Sequence, residues 1–349
     1  MANGNDRLKV LFVAGWYPSE ENPVAGVFIR EHARAASLYD EVALMYVAPA
    51  TKKLPGLICV SDQMEEGIRT LRAQYRRLPL AKTSSLLRLY SHWRLLRRLR
   101  RDGFSPDVIH AHVYFAGLPA ALLGLFYRIP VIVTEHSSAF PLRTLRKVRL
   151  AAARFALSRA HLVLPVSEYL QSSIEFYGIR AKFRVVPNVV ETRLFHPATP
   201  HQSLQNSSQK KRLLTVALLT SVKGIPCLLE AIYRLRQRRQ DFVLDIVGDG
   251  PDRTEHEALS AKLGLDDVVH FHGLMPRCEV AEFMRRCDIF VLPSQLETFG
   301  VAAIEALASG KPVVASDVGG LRETVTEEVG HLVAPGDVDA LAAALDDML

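Results

Sequence analysis

Four cysteines in 349 residues, Cys59, Cys227, Cys278 and Cys287, are scattered with no C-x-x-C pair. So thin a supply argues against a zinc site or a disulfide framework, and for a reducing compartment, the cytoplasm. A secretory leader is not legible either, because MANGNDRLKVLFVAG mixes charges around only a short apolar run. Long hydrophobic runs are missing too. The longest uncharged stretch, 108–127, approaches membrane-spanning length but carries His110, His112, Gly117 and Pro119, and reads as strand, loop and helix. No carboxylate cluster suggests a metal. The lone D-x-D, Asp337-Val338-Asp339, follows Pro-Gly and precedes an Ala/Leu helix, so Asp337 reads as an N-cap.

What remains is an ordinary globular composition, 49% hydrophobic with 20 glycines and 19 prolines. The chain is too long for one ordinary core, so two domains are expected. Its net charge of +6 is unevenly spread. Between Lys52 and Gly103 there are thirteen Lys/Arg against four acids, and between Pro141 and Ala160 six basic residues and no acid. The segment 86-LLRLYSHWRLLRRLRR-101 spaces Leu86, Leu89, Trp93, Leu96 and Leu99 at three- and four-residue intervals with arginines between them, the form of a basic amphipathic helix. Two readings stand side by side: an arginine-rich surface helix on a domain core, or docking on an anionic membrane face. No nucleic-acid motif accompanies the charge, so nucleic acid is not an expected partner.

Apolar, β-branched runs of strand length alternate with helical patterns, which predicts parallel-sheet α/β architecture. The runs 8–15, 41–48, 107–112, 130–136, 161–167 and 183–188 belong to a first half. A segment rich in Pro, Ser, Gln and Asn, 196-HPATPHQSLQNSSQKK-211, reads as a linker. The rhythm restarts at 212-RLLTVALL-219. The expectation is two Rossmann-like domains, 1–195 and 212–349, joined by 196–211 and facing one another across a cleft at the carboxyl ends of their strands.

One stretch raises a chemical question. In 294-SQLETFGVAAIEALASG-310, Glu305 sits among Val301, Ala302, Ala303, Ile304, Ala306 and Leu307. A helix apolar all round should be buried, and a buried carboxylate needs a partner. Either a basic residue elsewhere pairs with it, or a nucleotide does. In the second case Phe299, Gly300 and Val301 open the helix and offer backbone N–H groups to a diphosphate. The ribose would then reach Glu305, and whatever the diphosphate carries would lie near Glu297.

The pair Glu297/Glu305 (E-x7-E), 222-VKGIPCLLEA-231, 246-IVGDGP-251, 270-HFHG-273 and 310-GKPVVASDVGGLRE-323 resemble glycosyltransferase family 4, retaining enzymes of the GT-B fold. The segment 11-LFVAGWYPSEENPVAGVFIREHARA-35 resembles the glycine loop and first helix of the bacterial cell-envelope members. The likeness spans nearly the whole chain. It implies a UDP- or GDP-sugar held mainly by the second domain and a glycan or lipid-linked acceptor held mainly by the first. It also implies transfer with retention, and no cofactor, the nucleotide-sugar being a substrate. By resemblance Glu297 contacts the donor sugar and Glu305 the ribose. Phe299, Gly300 and Val301 hold the diphosphate, with Lys223 as phosphate-binding lysine, and the base meets backbone near Leu274. Gly26 matches the first-domain glycine that approaches the phosphates, and His112 the histidine close to the transferred sugar.

Other assignments come from position. His136 follows a strand end and is a candidate for the acceptor site, with Glu135 pointing oppositely. His110 is expected to face away from His112. A helix N-terminus plus Lys223 would supply the positive potential that a metal gives elsewhere, so metal independence is expected. Two departures from the family pattern stand out: Leu218 occupies a position often basic or polar, and the chain stops before the helix that usually crosses back onto the first domain. Two other functions fit the architecture, a nucleotide-sugar 2-epimerase and a non-catalytic sugar-nucleotide-binding relative.

Overall fold

A computed structural model describes residues 7–79, 81–199 and 210–349. Its backbone divides into two compact units, Met1–Val189 and Val190–Leu349. The division falls a few residues before the expected boundary because Phe195 is buried in the second unit's core, with Val190 and Leu194 packed beside it. Residues 200–209 of the expected linker lie outside the described residues.

The first unit is built on strands β1 (Lys9–Ala14), β2 (Glu41–Pro49), β3 (Ile58–Glu65), β4 (Ile68–Tyr75), β5 (Val108–His112), β6 (Val131–Glu135) and β7 (Leu162–Pro165), in the order β3-β4-β2-β1-β5-β6-β7. Pairing is parallel except for the hairpin β3–β4. Helices α1 (Val27–Ser37), α2 (Ala81–Arg101), α3 (Tyr114–Tyr127), α4 (Lys147–Arg159) and α5 (Glu168–Glu175) connect them. Central strands such as β1 are buried nearly throughout, which is why they read as continuous apolar runs. The stretch 108–127 resolves into β5, a turn at Val113, and α3, and no helix among the described residues is long and apolar enough to cross a membrane.

The second unit carries β8 (Lys211–Val216), β9 (Phe242–Val247), β10 (Val269–Gly273), β11 (Ile289–Leu292), β12 (Val313–Ser316) and β13 (Gly330–Val333) in the wholly parallel order β10-β9-β8-β11-β12-β13. Its helices are α6 (Ile225–Arg236), α7 (Arg253–Lys262), α8 (Arg277–Arg286), α9 (Val301–Ala308), α10 (Leu321–Thr324) and α11 (Val338–Met348). Asp337 caps α11 by accepting the Ala340 N–H at 2.9 Å, and Asp339 pairs with Arg234. Both carboxylates of the D-x-D are thereby engaged in holding a helix start.

Two expectations about helices need correction. In α2 the packed stripe is Leu95, Leu96 and Leu99 with Ser91 and His92, whereas Leu86 is 66% exposed, so the buried face lies in the second half of the helix. Helix α9 is not buried all round. Only Ala303 and Ala306 are fully covered, and Val301, Ile304, Glu305 and Leu307 are half-buried, because small alanines make a sequence look like core without filling one.

Candidate functional site

In the first unit, the candidate residues gather where β1, β5 and β6 end. Strand β5 pairs His110 with Phe12 and His112 with Ala14 in β1. Being two apart on one strand, His110 and His112 share a face of the sheet, with ring centroids 4.4 Å apart. The expectation that His110 faces away is therefore wrong; side chains alternate with period two. His112 Nδ1 lies 3.0 Å from His136 Nε2, and the two rings are within 14° of parallel at 5.3 Å between centroids. That combination is an end-on, in-plane N–H···N hydrogen bond. His32 of α1 closes the group, 5.3 Å from the His112 ring and 5.6 Å from the His136 ring, its Nε2 against Asn188 Oδ1 at 3.2 Å. His110 Nε2 meets Thr134 Oγ1 at 2.7 Å.

Burial sets the protonation of this cluster. Desolvation, reinforced by the neighbouring imidazoles, pushes His112 and His136 well below the usual histidine range and His110 down to about 3. All are neutral at pH 7. His112 Nε2 and His136 Nδ1 are buried with no hydrogen-bond partner among the described residues. Buried ring nitrogens are normally paired, so these two atoms stand out.

Glu135 points away from His136, as expected, and is completely buried. It accepts backbone N–H groups from Tyr114 at 2.7 Å, His136 at 3.0 Å and Ser137 at 2.8 Å, tying the start of α3 to the end of β6. Desolvation raises its carboxyl to about 7 against the pull of those three donors. Between His112 and α3 stands Val113 at φ 67, ψ 148, a backbone region that β-branched residues avoid. Gly26 caps α1 in the left-handed region at φ 68, and a Cβ there would run into the Trp16 carbonyl. Only glycine lets the 15–26 loop fold back so tightly.

In the second unit the loops after β8 and β11 are joined by the Gln295 N–H donating to the Val222 carbonyl at 2.8 Å. That bond sets Lys223 beside Glu297, Nζ to Oε1 at 2.6 Å, and Ser294 Oγ donates to the same oxygen at 2.9 Å. Glu297 is nearly buried. Gly320 presses on Thr298 and Phe299 from the other side, and its N–H donates to the Glu297 carbonyl at 3.1 Å. The loop 294–300 is thus clamped, and Phe299 is buried. Gly300 then starts α9 at φ 88, with no side chain capping the helix, so the first-turn amides at Val301 point out of the helix end. Leu274 and Leu218 are both exposed.

Glu305 has the basic partner that one reading of the sequence allowed: Arg277 Nη2 donates to its Oε1 at 2.9 Å. Arg277 had no sequence signal of its own. Nor did His32 and Asn188, brought in from α1 and from beyond β7; His110 was visible but misplaced by one strand face.

Two family models match: "Glycosyltransferase Family 4" over residues 57–194 and "Glycosyl transferases group 1" over residues 198–349. Among characterised proteins, the chain is 31% identical to an MMP alpha-(1->4)-mannosyltransferase of Mycolicibacterium hassiacum over 84% of this chain and 72% of that one. It is 28% identical to a glycogen synthase of Mycobacterium tuberculosis over 98% of this chain and 86% of that one. Solved structures with the same fold include sucrose-phosphate synthase from Thermosynechococcus elongatus, with TM-score 0.75, 23% identity and coverage of 98% and 90% of the two chains. Another is Anabaena Alr3699/HepE in complex with UDP-glucose, with TM-score 0.74, 21% identity and coverage of 98% and 89%.

Proposed function

This chain belongs to the group 1 glycosyltransferases of the GT-B fold, and from that premise we propose that it moves a sugar, with retention, from a UDP- or GDP-linked donor to a cell-envelope or lipid-linked acceptor. The observation that carries the reading is the Lys223–Glu297 pair, 2.6 Å apart beside the uncapped start of α9. A departing diphosphate needs fixed positive potential, and here the start of α9 and the Lys223 ammonium, drawn from Glu297 to the phosphate, would supply it. Glu297, held by Lys223 and Ser294, would lie next to the sugar the diphosphate carries. Glu305 would take the ribose hydroxyls, Phe299, Gly300 and Val301 the phosphates, and backbone near Leu274 the base. Gly26 is the first-unit glycine that the family pattern assigns to the phosphates. His112 would lie close to the transferred sugar, and His136 would serve the acceptor.

Retention follows from the same arrangement in this reading: no second nucleophile is required where the leaving phosphate itself stays to guide the acceptor. No relative named above is a nucleotide-sugar 2-epimerase. The acceptor side is supported by a surface of the first unit that carries exposed Arg94, Arg97, Arg100 and Arg101 on α2, and Val148, 81% exposed, at the start of basic α4. Such a surface suits a peripheral protein at the inner membrane face. Incubation with radiolabelled UDP- and GDP-sugars tests the proposal. Transfer, or slow donor hydrolysis with release of the α-anomer from an α-linked donor, is expected; binding with no turnover on any donor would leave a sugar-nucleotide-binding protein instead.

A further inference from the structure

Arg277 occupies a place where a cation is electrostatically unwelcome. It is the first residue of α8, directly after the N-cap Pro276, where the helix dipole is positive. Three features hold it there. Its Nη2 meets Glu305 Oε1 at 2.9 Å, its Nη1 faces Glu191 Oε2 at 4.0 Å, and its guanidinium lies over the buried Phe195 ring at 5.2 Å. A planar guanidinium stacked on an aromatic and bridged to carboxylates has little freedom left. Glu305 gains the same rigidity in return. On a half-buried helix face its carboxylate would otherwise sample several rotamers and share its charge with water.

We propose that Arg277 is a positioning residue for the donor: it holds Glu305 in one rotamer, so that the carboxylate is preorganised to accept hydrogen bonds from the ribose hydroxyls. The proposal rests on the reading of Glu305 given above. In this reading Arg277 acts through Glu305 and not on the reacting sugar, its place three residues beyond Leu274 lying towards the nucleoside. A carboxylate already aligned loses little entropy when a diol binds, which is the source of the affinity.

The test is calorimetric titration of the whole chain with UDP and GDP, then with the 2′-deoxy and 3′-deoxy forms of whichever binds more tightly. Arg277→Met should weaken the ribonucleotide about tenfold and the deoxynucleotides hardly at all, so that the preference for ribose collapses. Arg277→Lys, which keeps the charge without the fork, should fall between. Glu305→Gln should abolish the ribose preference, and adding Arg277→Met to it should cost nothing more. If Arg277→Met weakens both kinds of nucleotide equally, or neither, while Glu305→Gln still removes the preference, Arg277 is not the positioning residue. If Glu305→Gln leaves the ribose preference intact, the assignment of Glu305 fails and takes this proposal with it. Matching near-ultraviolet spectra and melting temperatures for Arg277→Lys and the parent keep a folding defect from imitating the expected result.

Discussion

Lys223 and Glu297, 74 positions apart in sequence, meet at 2.6 Å with Ser294 on the same carboxylate oxygen. Their pairing fixes both side chains, the lysine sharing its charge with the carboxylate until a phosphate competes for it. Removing either partner strands the other in a partly dry loop. Glu297→Gln keeps the shape and loses the charge, so turnover should fall by about 2–4 kcal/mol of barrier with donor KM little changed. Lys223→Ala should raise donor KM as well as lower kcat. Glu305→Ala should chiefly weaken nucleotide binding, by about 1–3 kcal/mol. Steady-state kinetics against the donor separate the three. Parental kcat in Glu297→Gln would remove the residue from the chemistry.

Val113 follows His112 directly and holds φ 67, a conformation that only glycine adopts without strain. Val113→Gly should relieve about 1–3 kcal/mol of backbone strain, offset by the greater freedom of glycine in the unfolded chain and by the loss of its buried side chain. The expected result is a melting temperature close to the parent's but a lower kcat, because the turn that fixes the His112 backbone becomes loose. A Val113→Ala protein keeps the strain without the packing and should be less stable than Val113→Gly. Equal or greater stability of the alanine variant in thermal denaturation would contradict the strain argument.

The buried imidazoles make stability depend on pH. His92 is lowered to about 4 and His110 to about 3, with His112 and His136 also depressed, all chiefly by desolvation. In the unfolded chain each takes up a proton near its ordinary value of about 6.5. Below that pH the unfolded state binds more protons, so stability falls as pH falls, by about 2 kcal/mol at pH 5 for each of His92 and His110, with His112 and His136 adding in the same direction. Glu135 works the other way: its folded value, about 7, lies above the ordinary carboxylate value, so it adds stability as pH drops from 7 towards the usual glutamate range. Four histidines outweigh one glutamate. Melting temperature should therefore decline from pH 7 to pH 5, and a flat profile would mean the cluster is hydrated.

Phosphate stabilisation by Lys223 and the start of α9 predicts activity without a divalent cation. EDTA should leave the rate largely intact. Complete loss in EDTA, restored by magnesium or manganese, would show that the positive potential comes from elsewhere.

The alternation of strand and helix was legible because parallel strands, covered on both faces, write themselves as apolar runs; β1 and β9 are examples. Helix α9 shows the limit of that signal, since alanines carry hydrophobicity without the bulk that marks a core. Local motifs singled out Glu297, Glu305 and Lys223, but what holds them comes from afar: Lys223 and Glu297 hold one another, and Arg277 holds Glu305 on α9. The histidine cluster was harder, because it depends on register between β1, β5 and β6, on α1, and on Asn188, none of which a linear spacing encodes. Arg277 carried no signal at all: a single arginine at a helix start becomes meaningful only when Glu305, Glu191 and Phe195 are seen around it.

The first unit is expected to dock reversibly on anionic membrane. Of the arginines on α2, Arg88 is excluded from that role because it turns inward and donates to the Phe115 carbonyl at 2.7 Å, while Arg98 is partly committed to Asp62 at 3.0 Å. Arg94, Arg97, Arg100 and Arg101 remain exposed, with Arg97 lying over Trp93 and Arg100 over Tyr127. A second group, Arg143 to Arg159, is accompanied by Val148, 81% exposed, and Phe176, 60% exposed under the Arg143 guanidinium. Apolar side chains among cations suit a headgroup layer better than open water. Each basic residue near an acidic surface contributes about 1 kcal/mol, so several acting together would hold the protein at low salt and release it as salt screens them. In co-sedimentation, phosphatidylglycerol vesicles should retain the protein and phosphatidylcholine vesicles should not. Arg97→Glu with Arg101→Glu should weaken retention through charge, and Val148→Asp through insertion, which tells the two surfaces apart. Equal, negligible binding of the parent to both vesicles at low salt would leave the acceptor as a soluble molecule.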